Sequence, residues 1–170
     1  MLSTIIGGVV SGVIASICFT VFLLLIKPKV RISDQICIES IGNDDRVYRI
    51  KIVNHTFAML TNLRYVLHYC KIHGDGINTV TEISPRKTPL ISIDKFSLSK
   101  RNTDYAVRVS YDIDKEKYPL NDNSKLIFTF MADHALSNTT TCIKKEYFFS
   151  DIVEGVFESD KSVKIIRKHY

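Results

Sequence analysis

The N-terminal region lacks charge, since none of the first 26 residues is acidic or basic. It also lacks the basic n-region and the A-x-A-like site that a cleaved signal peptide needs. "MLST" contains no Lys or Arg, and "FLLLIKPKV" contains no such cleavage site. The apolar run from Ile5 to Ile26 is long enough to cross a hydrocarbon core of about 30 Å as a helix. These absences argue against a removable leader and predict a retained transmembrane helix over residues 1–26.

The chain also lacks any set of residues with the spacing of a catalytic or metal site. A zinc site needs about four ligands, and Cys70 with His73 is the one close Cys/His pair. Asp112 and Asp114 lie beside a turn, where Asp is expected to bond to the local backbone. We therefore expect a protein that is not an enzyme and that has no metal and no cofactor.

Basic residues are absent before the apolar run and follow it at once, in "KPKVR". The positive-inside rule then predicts an N-terminus outside and residues 27–170 in the cytoplasm. Cys37, Cys70 and Cys142 show no framework spacing, which suits the reduced thiols of that compartment, and Cys18 falls within the predicted span. The sequons at Asn54 and Asn138 are expected to be silent there.

Small residues are concentrated on one side of the predicted span. Residues four apart stack on the same side of a helix, and columns of small side chains let a second helix approach closely. One column holds Gly8, Gly12, Ser16 and Thr20, and its neighbour holds Gly7, Ser11 and Ala15. We expect this helix to pack against copies of itself. The hydroxyls of Ser16 and Thr20 could line a narrow pore or bond to carbonyls four residues back, and the pattern leaves both roles open.

After a juxtamembrane linker over residues 27–34, the hydrophobic pattern has the period of two that is typical of strands. "VYRIKIV" (47–53) puts Tyr48, Ile50 and Ile52 on one face and Arg49 and Lys51 on the other. Further strands are predicted at 63–72, 104–111, 125–132 and 141–149, with turn residues between them. Short strands at this spacing predict a mainly β fold, with a β-sandwich over residues 35–170.

The chain carries a formal net charge of +5, and nine basic residues are candidates for binding an anionic oligonucleotide. They are Arg46, Arg49, Lys51, Arg64, Lys100, Arg101, Arg108, Lys144 and Lys145. Arg49, Lys51 and Arg108 are the outward members of alternating strands, so we expect them to face water or a partner. The other interpretation is a solvated face whose lysines resist edge-to-edge aggregation.

Binding of an oligonucleotide without sequence readout also uses aromatic side chains on which the bases stack. The tyrosines near the basic residues in sequence are Tyr48, Tyr65, Tyr69 and Tyr111. Tyr48 falls on the face that is predicted to be buried.

Three segments resemble, in order and rough spacing, the cytoplasmic domain of inward-rectifier potassium channels. They are "IKIVN" (50–54), "SYDIDKEKYPL" (110–120) and "EYFFSDIVEGVFES" (146–159). The matching positions are Asn54, Ile113, Asp114, Pro119, Leu120, Tyr147, Asp151, Ile152, Gly155 and nearby Phe157. The resemblance implies an immunoglobulin-like sandwich that assembles as a cytoplasmic tetramer. The chain departs from the family in having one span, no pore helix and no Thr-Val-Gly-Tyr-Gly filter, so potassium selectivity is not implied.

One N-terminal span followed by such a domain is similar to the membrane effectors of bacterial anti-phage systems, in particular the partner of the nucleotidyltransferase in Hailong-type defence. This resemblance implies a channel-forming oligomer in the bacterial inner membrane, held inactive by single-stranded DNA oligomers, with a nucleotidyltransferase encoded nearby. The alternative is a membrane-tethered binding or scaffold domain that recruits a protein partner and does not conduct.

Overall fold

The N-terminal apolar run forms one helix, α1 (Leu2–Leu25), in a computed structural model that describes residues 2–25, 28–41, 45–73, 78–87, 90–97, 104–158 and 162–166. The helix is long and apolar enough to cross a membrane, and no residue of its window Ile5–Phe22 is buried. The hydroxyl of Ser16 donates to the carbonyl of Gly12, and that of Thr20 to the carbonyl of Ser16, each at 2.9 Å. The sequence left two roles open for these hydroxyls, and in the structure they bond to the carbonyl four residues back.

The remaining described residues are mainly β. The strands are β1 (Val30–Ile32), β2 (Ile36–Ile41), β3 (Asp45–Asn54), β4 (Leu60–Ile72), β5 (Asn78–Ile83), β6 (Ala106–Tyr111), β7 (Ser124–His134), β8 (Thr140–Tyr147), β9 (Ile152–Glu154), β10 (Val156–Phe157) and β11 (Ile165–Ile166). A short 3-10 turn, Phe149–Asp151, connects β8 to β9.

These strands form two main sheets and one small hairpin. In the first sheet, β1 and β2 pair with successive parts of β3, β6 pairs with β3, and β9 runs parallel to β2. The second sheet is antiparallel, in the order β5-β4-β7-β8. The hairpin is formed by β10 and β11.

The core lies between the inner faces of the two sheets. Tyr48, Ile50 and Ile52 from β3 belong to the same buried cluster as Phe128 and Phe130 from β7. Burial alternates strictly along β7, as expected for a strand with one face on the core. The predicted fold class is confirmed, since an apolar helix is followed by a mainly β domain whose two sheets share one core.

The domain begins earlier than the predicted boundary at residue 35. Strand β1 lies inside the segment 27–34 that was assigned to the linker, and Val30 pairs with Asn54. The carbonyl of Lys29 also accepts a hydrogen bond from the backbone of His55 at 2.7 Å. Strand pairing therefore reaches to within a few residues of the end of α1.

A C-terminal strap, residues 155–158 and 162–166, covers the outer face of the first sheet. Its residues Phe157 and Val163 are buried, and Val163 packs with Val53 and Tyr105 in a second, smaller apolar cluster. The thiol of Cys37 on β2 donates to the carbonyl of Gly155 at 3.1 Å. The first sheet is therefore packed on both faces along this part of β3.

Candidate functional site

Lys51, predicted to face water or a partner, lies under the C-terminal strap. Lys51 is 1% exposed. Its ammonium group donates to the carbonyl of Ser162 at 2.7 Å and lies 5.5 Å from the centroid of the Phe157 ring. The prediction is wrong for Lys51, because the strap supplies a second layer over a face that alternation alone marks as outward.

The other two predicted outward cations, Arg49 and Arg108, differ in their accessibility. Arg49 pairs through Nη1 with Glu39 on β2, and its side chain is only 20% exposed. Arg108 is exposed, with its guanidinium carbon 5.9 Å from the centroid of the Phe157 ring. Arg49 is thus held by its own sheet, and Arg108 remains accessible beside the strap.

Two of the predicted basic residues of the second sheet, Lys144 and Lys145, are also engaged within the domain. Lys144 pairs with Glu146 at 3.2 Å. Lys145 pairs with Asp34 and donates to the carbonyl of Ile32 at 3.2 Å, so it connects β8 to the chain just after β1. This hydrogen bond from Lys145 lowers the pKa of the Asp34 carboxyl.

The predicted basic residues do not gather on one surface of the part of the chain that is described. Arg46, Arg49, Lys51 and Arg108 belong to the first sheet, and Arg64, Lys144 and Lys145 to the second. Lys100 and Arg101 lie outside the described residues. A groove that follows an oligonucleotide backbone needs a continuous positive surface, and the seven described candidates are divided between two sheets.

The predicted aromatic platform is largely inside the core. Tyr48, Tyr69 and Tyr111 are 1%, 5% and 0% exposed, and Tyr65 is half-buried. Burial raises the pKa of the Tyr48 and Tyr111 hydroxyls above their usual range. Stacking on these three buried rings is excluded in this fold, because a base has no access to their faces.

A cavity of about 510 Å³, here named the end cavity, lies where the first sheet meets the loop after β6. The sheet contributes Ile38, Arg46, Tyr48 and Glu154 to its wall. The loop contributes Lys115, Pro119, Leu120 and Asn121, and the wall is completed by Phe149 and Ile152 at the β8–β9 connection. Of the predicted basic residues that are described, Arg46 is the one that lines this cavity.

Arg46 and Glu154 face each other across the mouth of the end cavity. Their closest side-chain atoms are 3.8 Å apart, and the side chains are 52% and 68% exposed. An ion pair with this exposure contributes little stability. The guanidinium is therefore open to a second anion.

The loop that closes one side of the end cavity is held by several hydrogen bonds. The backbone of Tyr118 donates to the carbonyl of Asp114 at 2.8 Å. The carbonyl of Pro119 accepts bonds from the hydroxyls of Tyr69 at 2.9 Å and Ser124 at 3.1 Å. These bonds fix the loop, so this wall of the cavity is formed before any ligand arrives.

The sequence contains no local signal for the end cavity. No pattern singles out Lys115, which lies between two predicted strands, or Phe149, which lies at the end of the strand predicted over 141–149. Lys115 lies in "SYDIDKEKYPL" and Phe149 in "EYFFSDIVEGVFES", two of the segments that resemble a channel domain, and the resemblance gives neither residue a role. The cavity exists because three segments distant in sequence meet at one end of the sandwich.

The structure offers little support for metal or thiol chemistry in the residues it describes. No group of three or more His, Cys, Asp or Glu side chains among them could hold a metal ion. All four cysteines are free thiols. Burial raises the pKa of the Cys37 thiol to about 11, so it stays protonated and a poor nucleophile at neutral pH.

The predicted packing residues of α1 lie on an uncovered helix. An added Cβ at Gly7, Gly8 or Gly12 would meet no atom within 4 Å. The other four members of the two columns, Ser11, Ala15, Ser16 and Thr20, are exposed. The two columns are therefore open to contact from outside the chain.

The outer face of the second sheet is a further open surface with apolar side chains. Val80 on β5 is 55% exposed and Ile72 on β4 is 41% exposed. Val66, Ile127 and Met131 on β4 and β7 are half-buried.

No protein-family model matches the chain, and no curated protein matches it.

Proposed function

We propose that this protein is an oligomeric single-pass membrane effector whose β-sandwich binds a ligand and thereby changes the packing of its membrane helices. The observation that carries the proposal is the exposure of α1 along its whole apolar window. No residue of its window Ile5–Phe22 is buried, and the glycines on its small face have open space beside them. Helices with adjacent small residues associate closely in lipid, so copies of this chain are the natural partners for that face.

The sandwich is attached closely enough to act on the helix. Helix α1 ends at Leu25 and β1 begins at Val30, so the connecting chain spans at most about 18 Å when fully extended. A ligand that binds one packing arrangement more tightly than the other shifts the helices towards it. Because the connection is short, a movement of the sandwich on ligand binding is transmitted to the helix rather than absorbed by a flexible linker.

The basic residues after α1 favour an orientation with the sandwich in the cytoplasm and the N-terminus outside. The resemblance to the channel cytoplasmic domain favours a homotetramer. The resemblance to membrane effectors of anti-phage defence favours the bacterial inner membrane and a single-stranded DNA oligomer as the ligand. A nucleotidyltransferase encoded beside this protein would supply such an oligomer. In this proposal the effector forms a channel or another membrane-disrupting assembly.

The test is oligomeric state and ion flux of the full chain, wild type against Gly12→Leu. Leu at residue 12 fills the open small face, whereas Ile14→Leu changes a side chain about 200° around the helix and is the matched control. We expect the wild type and Ile14→Leu to be multimers by native mass spectrometry. In liposomes we expect their flux to respond to a short synthetic single-stranded DNA oligomer. Gly12→Leu is expected to insert but to lose both properties. A monomeric wild type, or equal flux from all three proteins, would overturn the proposal.

A second candidate is a membrane-tethered scaffold that binds a protein partner without conducting. The observation that favours it is the open outer face of the second sheet, with Ile72 and Val80 exposed. Replacement of α1 by a poly-Leu span separates the two candidates. The scaffold keeps its function with such a span, whereas the effector loses it.

A further inference from the structure

The end cavity combines an apolar floor with two cations at its mouth. Ile38, Leu120 and Ile152 supply apolar surface, and Arg46 and Lys115 supply positive charge. Its volume of about 510 Å³ lies within the range of roughly 300–1,000 Å³ that small-molecule sites occupy. This combination suits a ligand with an apolar or aromatic part and an anionic part.

Tyr48 contributes to the inner wall of the end cavity, and its hydroxyl lies below the surface. The residue is 1% exposed, and its hydroxyl has no hydrogen-bond partner among the described residues. Burial raises the pKa of this hydroxyl, which therefore stays a neutral donor at physiological pH. A buried polar group without a partner is destabilising.

Phe149 places an aromatic ring at the cavity mouth. The residue is 57% exposed. The 3-10 turn that carries it is held by Asp151, whose carboxylate accepts a bond from the backbone of Phe148 at 2.9 Å. An exposed ring on a fixed turn is suited to stacking against a planar base.

The arrangement of charge argues for a ligand held at one point. Arg46 is the described candidate cation that lines the end cavity, and Lys115 joins it from the loop. The remaining described candidates are paired, covered or located on other faces. A nucleic-acid strand that ran along one sheet would leave the candidate cations of the other sheet without a phosphate.

We infer that the end cavity binds one nucleotide, with its phosphate between Arg46 and Lys115 and its base against Phe149 and the apolar floor. This inference deepens the proposed function, on which it rests for the role of the ligand. The nucleotide is either a free nucleoside monophosphate or the terminal residue of a single-stranded oligomer, and both present the same base and phosphate. Inorganic phosphate would leave the apolar floor uncovered, and a fatty acid would leave the aromatic ring of Phe149 without a specific role.

The experiment is calorimetric titration of the full chain in detergent at low salt. The probes are deoxyadenosine 5′-monophosphate, deoxyadenosine, inorganic phosphate, and a 5′-phosphorylated single-stranded DNA oligomer. We expect the monophosphate to bind at least about tenfold more tightly than deoxyadenosine or inorganic phosphate. The oligomer is expected to bind within about tenfold of the monophosphate, because only its terminal nucleotide is held. Weakening of both by added salt is expected, since the contact neutralises a phosphate.

Three variants and one matched control locate the site. Arg46→Gln, Lys115→Gln and Phe149→Ala are each expected to weaken binding of the monophosphate at least about tenfold. Lys117→Gln removes the same charge from the same exposed loop, but Lys117 does not line the end cavity, so its affinity is expected to stay within about twofold of the wild type. Thermal unfolding of each variant identifies loss of folding, and the exposed positions 115 and 149 keep the test valid should Arg46→Gln unfold.

The outcomes separate this inference from the proposed function. Binding of the oligomer without binding of the monophosphate, equal binding of inorganic phosphate, or equal weakening by Lys117→Gln would each overturn the end cavity as a nucleotide site. None of these results changes the expected effect of Gly12→Leu on oligomers and flux. Nucleotide binding that requires Arg46 and Lys115, together with no oligomer in any condition, would support the site and overturn the proposed function.

Discussion

The substitution Lys51→Ala distinguishes a solvated lysine from one that holds the C-terminal strap. A lysine on an open strand face usually contributes within about 0.5 kcal/mol when it is replaced. In this structure the residue is 1% exposed, and its ammonium group donates to the carbonyl of Ser162 at 2.7 Å. We therefore expect a much larger effect.

Three interactions of the Lys51 side chain stabilise the folded state and are lost in the variant, whereas one unfavourable contribution is removed. The buried stem beyond Cβ contributes about 0.8 kcal/mol for each of its methylene groups. The charged hydrogen bond to Ser162 contributes about 1.5–3 kcal/mol, and the contact with Phe157 about 0.5–2 kcal/mol. Against these, the variant no longer removes an ammonium group from water, which costs several kcal/mol. We expect a net decrease of roughly 2–4 kcal/mol in the free energy of unfolding.

The assay is thermal unfolding of the full chain in detergent, followed by near-ultraviolet circular dichroism. A decrease of this size lowers the melting temperature by on the order of 5–10 °C for a domain of this length. Lys144→Ala is the control, because its side chain is 58% exposed and its replacement is expected to change stability by less than about 0.5 kcal/mol. A Lys51→Ala protein as stable as this control would refute the packing of the strap on β3.

Three further predictions follow from individual contacts. Gly155→Ala should lower the free energy of unfolding by about 1–3 kcal/mol and speed hydrogen exchange in residues 162–166, because the added Cβ would collide with the carbonyl of Ile166 and lie 2.7 Å from Cγ2 of Ile165. Gly8→Ala, whose added Cβ meets no atom within 4 Å, should change neither the stability nor the exchange. Burial lowers the pKa of His134 and His55, so the unfolded chain binds more protons than the folded one, and stability should fall as pH drops from about 6.5 towards the lower folded pKa values. A smaller change of stability with pH in His134→Gln would support this prediction, and an unchanged one would contradict it. Asn138, exposed in its sequon, should carry no glycan when the chain is inserted into microsomes, and a glycan there would reverse the proposed orientation.

The end of the sandwich illustrates what sequence reasoning could not find. Arg46 was selected as one of nine basic residues, with no means of ranking it above the others. Lys115 and Phe149, which line the end cavity with Arg46, are far from it along the chain. Lys115 lies between two predicted strands, and Phe149 lies at the end of the strand predicted over 141–149. Their meeting depends on how the strands pair and where the loop after β6 is held.

The sequence alone determined α1 and the inward face of the strands, because both follow from side-chain spacing within a few neighbouring residues. An unbroken apolar run predicts a helix of membrane length, and alternation correctly assigned Tyr48, Ile50 and Ile52 to the core. Tertiary structure decided whether the opposite face meets water or protein. Lys51 and Ser162 are separated by 111 residues, and no local pattern records that contact. Alternation identifies the side of a strand that faces away from the core, whereas the segment that covers it is selected by packing over the whole domain.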